Sequence, residues 1–401
     1  DEQGLIALVS GENEFLEDSP PDDRERFARE TSYATFLRER VGLSEQGIKI
    51  TEPWVKALHC AGAEAVSVQE VFRAGAPGLN TLMPMTQAEG DEEPVDPDAY
   101  SYPIFPDGNA SVARLLVRQL IPEVVRGDLG QNVVTSQFDY SQLDRETSRI
   151  RLRLNSTAVN ARNLDNEQVE IAYVSKGEAQ AVRAKHCILA GYGGIVPHLC
   201  PELPEAQKEH LAYGVKAPFI CTNVLLRNAE AVRKAGVSGY QCPGSFYSLF
   251  ASAPPVNIGD FRVPSGATDP MVLWMLHVPT PKVTNGMSAR DAYRLGRHNL
   301  LSMTFEDIEA ETLNQLAGMF GSAGFDAGRD VEAITVNRWA HGYAYEYMDL
   351  HDPDWPEGEA PHELGRKPIG RIAIANSDAE AYAYVQAAMK AARRAVSEVL
   401  A

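Results

Sequence analysis

The chain has 401 residues, 44% of them apolar and 8% aromatic, which is enough for two or three domains with a sizeable core and too apolar for general disorder. A net charge of -18 argues against a nucleic-acid partner, which would want clustered Lys and Arg, and it suits either a cationic substrate or plain solubility. Five cysteines (Cys60, Cys187, Cys200, Cys221 and Cys242) with no C-x-x-C spacing signal neither a disulfide framework, a zinc site nor a covalently attached c-type haem.

The longest apolar runs, such as APFICTNVLL and MVLWMLHV, are too short to span a bilayer. No stretch has the make-up of a signal peptide. The first residue is Asp1 rather than Met, so the expectation is that a native N-terminus, and any targeting segment with it, has been lost.

In chain order, residues 1–80 read as mainly helical, with Phe27, Tyr33, Ala34 and Leu37 on one face of a segment that stops at Gly42. Residues 84–108 are rich in Pro, Asp and Glu and read as a loop. NASVARLLVRQLIPEVV is an amphipathic helix with Leu115, Leu116, Leu120 and Ile121 as its expected buried stripe and Asn109 or Ser111 as its cap.

The period then changes. Over 149–159, Ile150, Leu152 and Leu154 alternate with arginines, which predicts a half-buried strand. The next segment reads as a hairpin turning near Lys176 and Gly177, and KHCILAGYGG as a buried parallel strand ending in glycines. FEDIEAETLNQLAGMFG is a helix with a Thr304–Asp307 capping box, a stripe of Phe305, Ile308, Leu313, Leu316 and Phe320, and a stop at Gly321. The sum is a mixed α/β chain with no internal repeat.

Three features could carry chemistry. No G-x-G-x-x-G occurs, but Gly191, Gly193 and Gly194 follow a buried strand, where a backbone could pass close to a ligand or simply turn. NRWAHGYAYEY crowds Trp339, His341, Tyr343, Tyr345 and Tyr347 into what reads as a loop. Such a loop could hold an amine by aromatic contact and a proton by imidazole, or could be stacked core. SFYSLF (245–250) and VLWMLHV (272–278) read more readily as core than as pocket wall.

The closing segment, RIAIANSDAEAYAYVQAAMKAARRAV, predicts a strand, a turn capped by Ser377 or Asp378, and a helix whose expected buried face is Tyr382, Val385, Ala388, Ala392 and Val396. A helix N-terminus offers free N–H groups and partial positive charge, and small residues nearby let a flat ligand approach. An ordinary docking helix would look the same.

The order and wording of FPDGNASVARLLVRQLIP, RIRLRLNSTAV, HCILAGYGG, NRWAHGYAYEY and GRIAIANSDAEAYAY resemble the FAD-dependent amine oxidoreductases, in particular bacterial spermidine-dehydrogenase-like proteins, over essentially the whole chain. The resemblance implies an FAD-binding amine-oxidase-like fold, here with an incomplete Rossmann-type sheet plus a substrate domain. Its parts would be a helical substrate region at 1–104, an FAD-binding part at 105–205, a mixed substrate region at 206–345 and a closing FAD-binding strand and helix at 346–401. Cofactor contacts are implied for Asp107, Gly108, Asn109, Ala158, Gly191, Tyr192, Asn376, Ser377, Asp378, Tyr384 and Val385. Trp339, His341 and Tyr343 are the implied substrate wall and proton-handling groups.

The departure is the missing N-terminal βαβ unit with its G-x-G-x-x-G. A separate chain could supply that unit, or this chain could be a piece of a longer one, and an exposed apolar sheet edge near 187–191 is expected. The implied activity is hydride removal from an amine or polyamine such as spermidine, with an electron acceptor as a further partner. The alternatives are a non-catalytic subunit that keeps the fold, or a flavoenzyme with an apolar substrate. Haem, with His277 or His298 as ligand, and a periplasmic location reached by export of the folded protein are further implications of the resemblance.

Overall fold

A computed structural model describes residues 1–10, 15, 20–74, 104–126, 132–237, 239–253, 256–284 and 286–400. Most of the acidic 84–108 segment, expected as a loop, lies outside the described residues.

Among the described residues, five helices lie in the first eighty positions, as the 3.6-residue periodicity predicts: Glu2–Ser10, Pro21–Glu30, Tyr33–Glu39, Glu45–His59 and Val68–Arg73. Ser32, Ser44 and Ser67 each accept a hydrogen bond from the backbone three residues on, and Glu70 closes a capping box on Ser67. Phe36, Leu37 and Val55 are fully buried in one cluster with Tyr33 and Val66, which Tyr293, Tyr345 and Met348 join from the far end of the chain.

Among the described residues, ten strands fall into three sheets. β1 (Ser156–Leu164), β2 (Gln168–Ser175) and β3 (Glu178–Ala184) form an antiparallel meander. The expected turn between β2 and β3 is present, with positive φ at Lys176 and Gly177, the geometry of a two-residue hairpin loop. β4 (Cys187–Leu189) pairs in parallel with β10 (Ile372–Ile374), so the closing strand returns to lie beside the middle of the chain. β5 (Ala217–Leu226), β6 (Gly239–Gln241), β7 (Leu249–Ser252), β8 (Met271–His277) and β9 (Val331–Tyr343) make an antiparallel sheet in the order β6-β7-β8-β5-β9.

Helices Ala289–Ser302 and Phe305–Phe320 cover that sheet. The Thr304–Asp307 capping box forms, and Ile308, Leu316 and Phe320 are buried with Tyr247, Phe250, Leu273 and Met275, so SFYSLF and VLWMLHV are core. Phe305 at the first helical position stays exposed.

Several expectations are corrected. The strand predicted at 149–159 begins at Ser156, because Asp144 holds Arg151 and Arg153 at 2.5 and 3.2 Å and keeps the preceding stretch irregular. Helix Ala110–Leu120 packs through Ser111, Arg114 and Val117 rather than its leucines. The Arg114 guanidinium donates to the carbonyl of Val133 at 2.9 Å and lies 4.2 Å from the Phe138 ring, which turns Leu115, Leu116 and Leu120 outward and leaves only Ile121 of the stripe buried. Neither Asn109 nor Ser111 caps that helix: Asn109 makes no side-chain cap, and the Ser111 hydroxyl donates to Asp107 at 2.6 Å.

The closing helix, Val385–Leu400, also turns its face. Ala387, Ala391 and Ala395 pack on Ala373 and Ala375, since methyl-sized side chains let helix and strand approach closely. The bulkier Val385, Met389 and Val396 point away and are exposed.

Candidate functional site

β4 and β10 end side by side, and the turn after each faces edge strand β9 of the antiparallel sheet. After β10, Asn376 adopts φ 95 and ψ 160, a conformation that favours glycine and that a non-glycine residue keeps only when its surroundings impose it. Its amide donates to the carbonyl of Ala190 at 3.2 Å, and its side-chain oxygen accepts from the Ser377 hydroxyl at 2.9 Å and from the Asp378 N–H at 3.3 Å. The cap of the short turn Ser377–Glu380 is therefore Asn376, not the expected Ser377 or Asp378.

Asp378 is committed on both oxygens. One accepts from the N–H of Gly193 at 2.8 Å, and the other meets the Lys216 ammonium at 2.6 Å. Lys216 is 7% exposed, and its ammonium lies 4.9 Å from the centre of the Tyr192 ring. Behind Asp378 the packing leaves about 30 Å³, room for about one water.

Trp339, His341 and Tyr343 lie on β9 itself, which corrects the loop reading. The two-residue period of a strand puts all three on one face. Tyr343 is 4.7 Å and Trp339 6.5 Å, ring to ring, from Phe219, and His341 lies 5.6 Å from Tyr192. Gly342 makes this arrangement possible, since a Cβ there would come within 2.2 Å of the Phe219 ring. Tyr345 and Tyr347 leave the strand for the interior, where the Tyr345 and Tyr213 hydroxyls both donate to Asp352 at 2.6 Å.

Burial lowers the affinity of His341 for a proton, and Arg297 and Lys216 lower it further against an opposing pull from Asp378, so the imidazole is neutral near neutral pH. Burial raises the Tyr343 hydroxyl, which stays protonated. Arg297 joins β5 to β9 by donating to the carbonyls of Ala340 at 2.9 Å and Lys216 at 3.3 Å. Across the cleft the Tyr382 and Tyr384 rings lie 4.5 Å apart, tilted by 35°, and Glu346, raised by burial, accepts from the N–H of Ala383 at 2.9 Å.

The structure thus brings Gly191, Tyr192, Asn376, Ser377 and Asp378 to the mouths of two adjacent strands, facing Trp339, His341 and Tyr343, with Tyr384 and Val385 at the start of the closing helix. Asp107, Gly108 and Asn109 instead precede helix Ala110–Leu120, whose apolar cluster of Ile121, Val124 and Leu143 shares no residue with this cleft. Ala158 lies on β1 at a bulge, paired with Tyr173. Lys216 and Arg297 escaped the sequence reading. The one available signal was a lysine at the lip of the apolar run APFICTNVLL, since lysine is almost never buried unless paired.

His277 is half-buried with its ring stacked on Phe246 at 3.9 Å and its Nδ1 2.6 Å from the Phe246 carbonyl, while His298 is exposed. Among the described residues no group of three or more His, Cys, Asp or Glu side chains could hold a metal ion, and no helix is long and apolar enough to cross a membrane.

No family model and no curated protein matches the chain. Solved structures do. A double mutant of putrescine oxidase matches with TM-score 0.54 and 15% identity, over 100% of this chain and 73% of its own. Wild-type putrescine oxidase bound to putrescine matches with TM-score 0.52 and 13% identity, over 100% and 76%. The fold is that of the FAD-dependent amine oxidases, at an identity that speaks for the fold alone.

The cleft fits the ring half of FAD. A Cβ built on Gly194 meets nothing within 4 Å and one on Gly191 meets only Ile195, so this turn is open to a ligand rather than packed. Tyr192, Trp339, Tyr343, Tyr384 and Val385 leave apolar surface exposed around it. For the diphosphate half, the sequence has no glycine-rich fingerprint turn.

Proposed function

We propose that this chain forms the amine-binding and flavin-contacting part of an FAD-dependent amine oxidoreductase. The observation that carries the reading is the cleft in which an exposed aromatic strand face, an imidazole and two strand-end turns meet. Gly191, Tyr192, Asn376, Ser377, Tyr384 and Val385 would hold the flavin side of the cofactor, and Ala158 and the Asp107–Asn109 turn its remainder.

When bound, FAD supplies an acceptor for the hydride lost from the carbon next to the amine nitrogen. The chain's own residues orient and desolvate the amine. Trp339 and Tyr343 present ring faces that attract an ammonium before it loses its proton. His341, neutral and beside Tyr192, is placed to take that proton. The resulting imine is hydrolysed by water. Lys216, Asp378, Glu346 and His341 give the cleft a polar lining, which favours an amine over an apolar substrate.

Within this reading we place polyamines such as spermidine as substrates, an electron acceptor as partner, a nucleotide-binding βαβ unit either on a separate chain or on a longer form of this one, and a periplasmic location. The absence of G-x-G-x-x-G favours a second reading, a fold-retaining subunit without catalysis. Aldehyde formation from monoamines, diamines and polyamines, measured with added FAD and a dye acceptor, separates the two. Turnover of any amine supports the enzyme, and none across the series supports the non-catalytic subunit.

A further inference from the structure

A lysine and an aspartate paired inside a cleft that is meant to admit a cation need a reason. Lys216 opens β5, Asp378 lies in the turn after β10, and Gly193 lies in the turn after β4, so three elements meet at one carboxylate. The Lys216 and Asp378 side chains are 8% and 15% exposed, and taking both charges out of water is expensive unless each is held. Both are held, Asp378 by two partners and Lys216 by Asp378 and the Tyr192 ring.

We infer that Asp378 is a positioning residue for the site: one oxygen fixes Lys216 under Tyr192, the other fixes the turn that carries Tyr192, and the pair balances the charge facing His341. The inference deepens the amine-oxidoreductase reading and rests on it for the identity of the site. Four groups face His341 from four elements. They are Tyr192 after β4, Lys216 before β5, Arg297 on helix Ala289–Ser302 and Asp378 after β10. Arg297 and Lys216 repel a proton on the imidazole, and Asp378 alone of the four attracts one. A cleft with Lys216 unpaired would carry two bare cations and would repel an incoming ammonium.

The test is an NMR pH titration of the His341 ring in this chain, with the resonance assigned by its loss in His341→Gln. No amine or cofactor is needed, so failure of this inference and failure of the enzymatic reading are separately visible. Asp378→Asn is expected to move the His341 midpoint down, Lys216→Met to move it up, and the double variant to return it towards wild type. Should Asp378→Asn fail to fold, Lys216→Met and the double variant still decide. A midpoint unmoved in Lys216→Met overturns the inference, as does a double variant that does not offset the single change. In protein that turns over an amine, Asp378→Asn should lose at least about tenfold in kcat, with part of it recovered by Asp378→Glu. A loss that appears in KM alone would contradict a positioning role.

Discussion

Glu70 shows at the scale of one residue how burial turns a cap into a pH sensor. Its carboxylate accepts from the Ser67 N–H at 2.7 Å and so closes a helix start. Burial pushes its affinity for a proton up to about 7 from an ordinary 4.5, against the lowering effect of Ser67, with Asp349 adding to the rise. The folded chain therefore binds this proton more tightly than the unfolded one. The stabilisation is complete below the unfolded value and is lost as pH rises through the folded one. On this account Glu70→Gln, which keeps a capping-box residue, removes on the order of 3 kcal/mol of pH-dependent stability between about pH 5 and pH 8. Denaturant melts of both proteins across that range check it, and parallel profiles would show that Glu70 titrates normally.

At the scale of elements, the closing helix is the instructive case. Val385, Ala388, Ala392 and Val396 have the spacing of a buried stripe, and hydropathy alone selects them. The structure buries Ala387, Ala391 and Ala395 instead, because Ala373 and Ala375 on and after the neighbouring strand let the helix come close. Ala391→Val should therefore overpack this contact and cost about 1–3 kcal/mol. Val396→Ser should stay within about 0.5 kcal/mol of wild type, since Val396 is exposed. Thermal melts of the two variants give the comparison, and the reverse order would restore the original face.

Elements with complete local signals were legible in the sequence. Thr304 and Asp307 announce a capping box, and Lys176 with Gly177 announces a hairpin. Residues whose roles come from distant partners were not. Nothing near Arg151 or Arg153 shows that Asp144 will hold them, nothing near Leu116 shows that Arg114 will take the packed side of its helix, and nothing near Lys216 names Asp378, 162 positions away. Of the candidate site, Trp339, His341, Tyr343, Asp378 and both strand-end turns were named from the sequence, while Lys216 and Arg297 were not.

At the scale of the whole molecule, large apolar side chains are left exposed on several elements. Ile188 on β4, Ile195 after it, Leu116 and Leu120, and Val385 and Met389 are all exposed. Among the described residues β4 has β10 as its only strand partner, and a parallel sheet ordinarily continues beyond two strands and is covered on both faces. Within the stretch 187–191, where an open apolar edge was expected, Ile188 is exposed and Leu189 is buried. This stretch is also where the proposed nucleotide-binding unit would add its strands.

The most direct measurement is flavin absorption and fluorescence of the purified chain after equilibration with FAD and removal of free cofactor, repeated after an amine is added. The account predicts retained flavin with a perturbed spectrum, whose visible bands bleach when putrescine or spermidine is added without oxygen. Flavin that stays bound and does not bleach with any amine would contradict it.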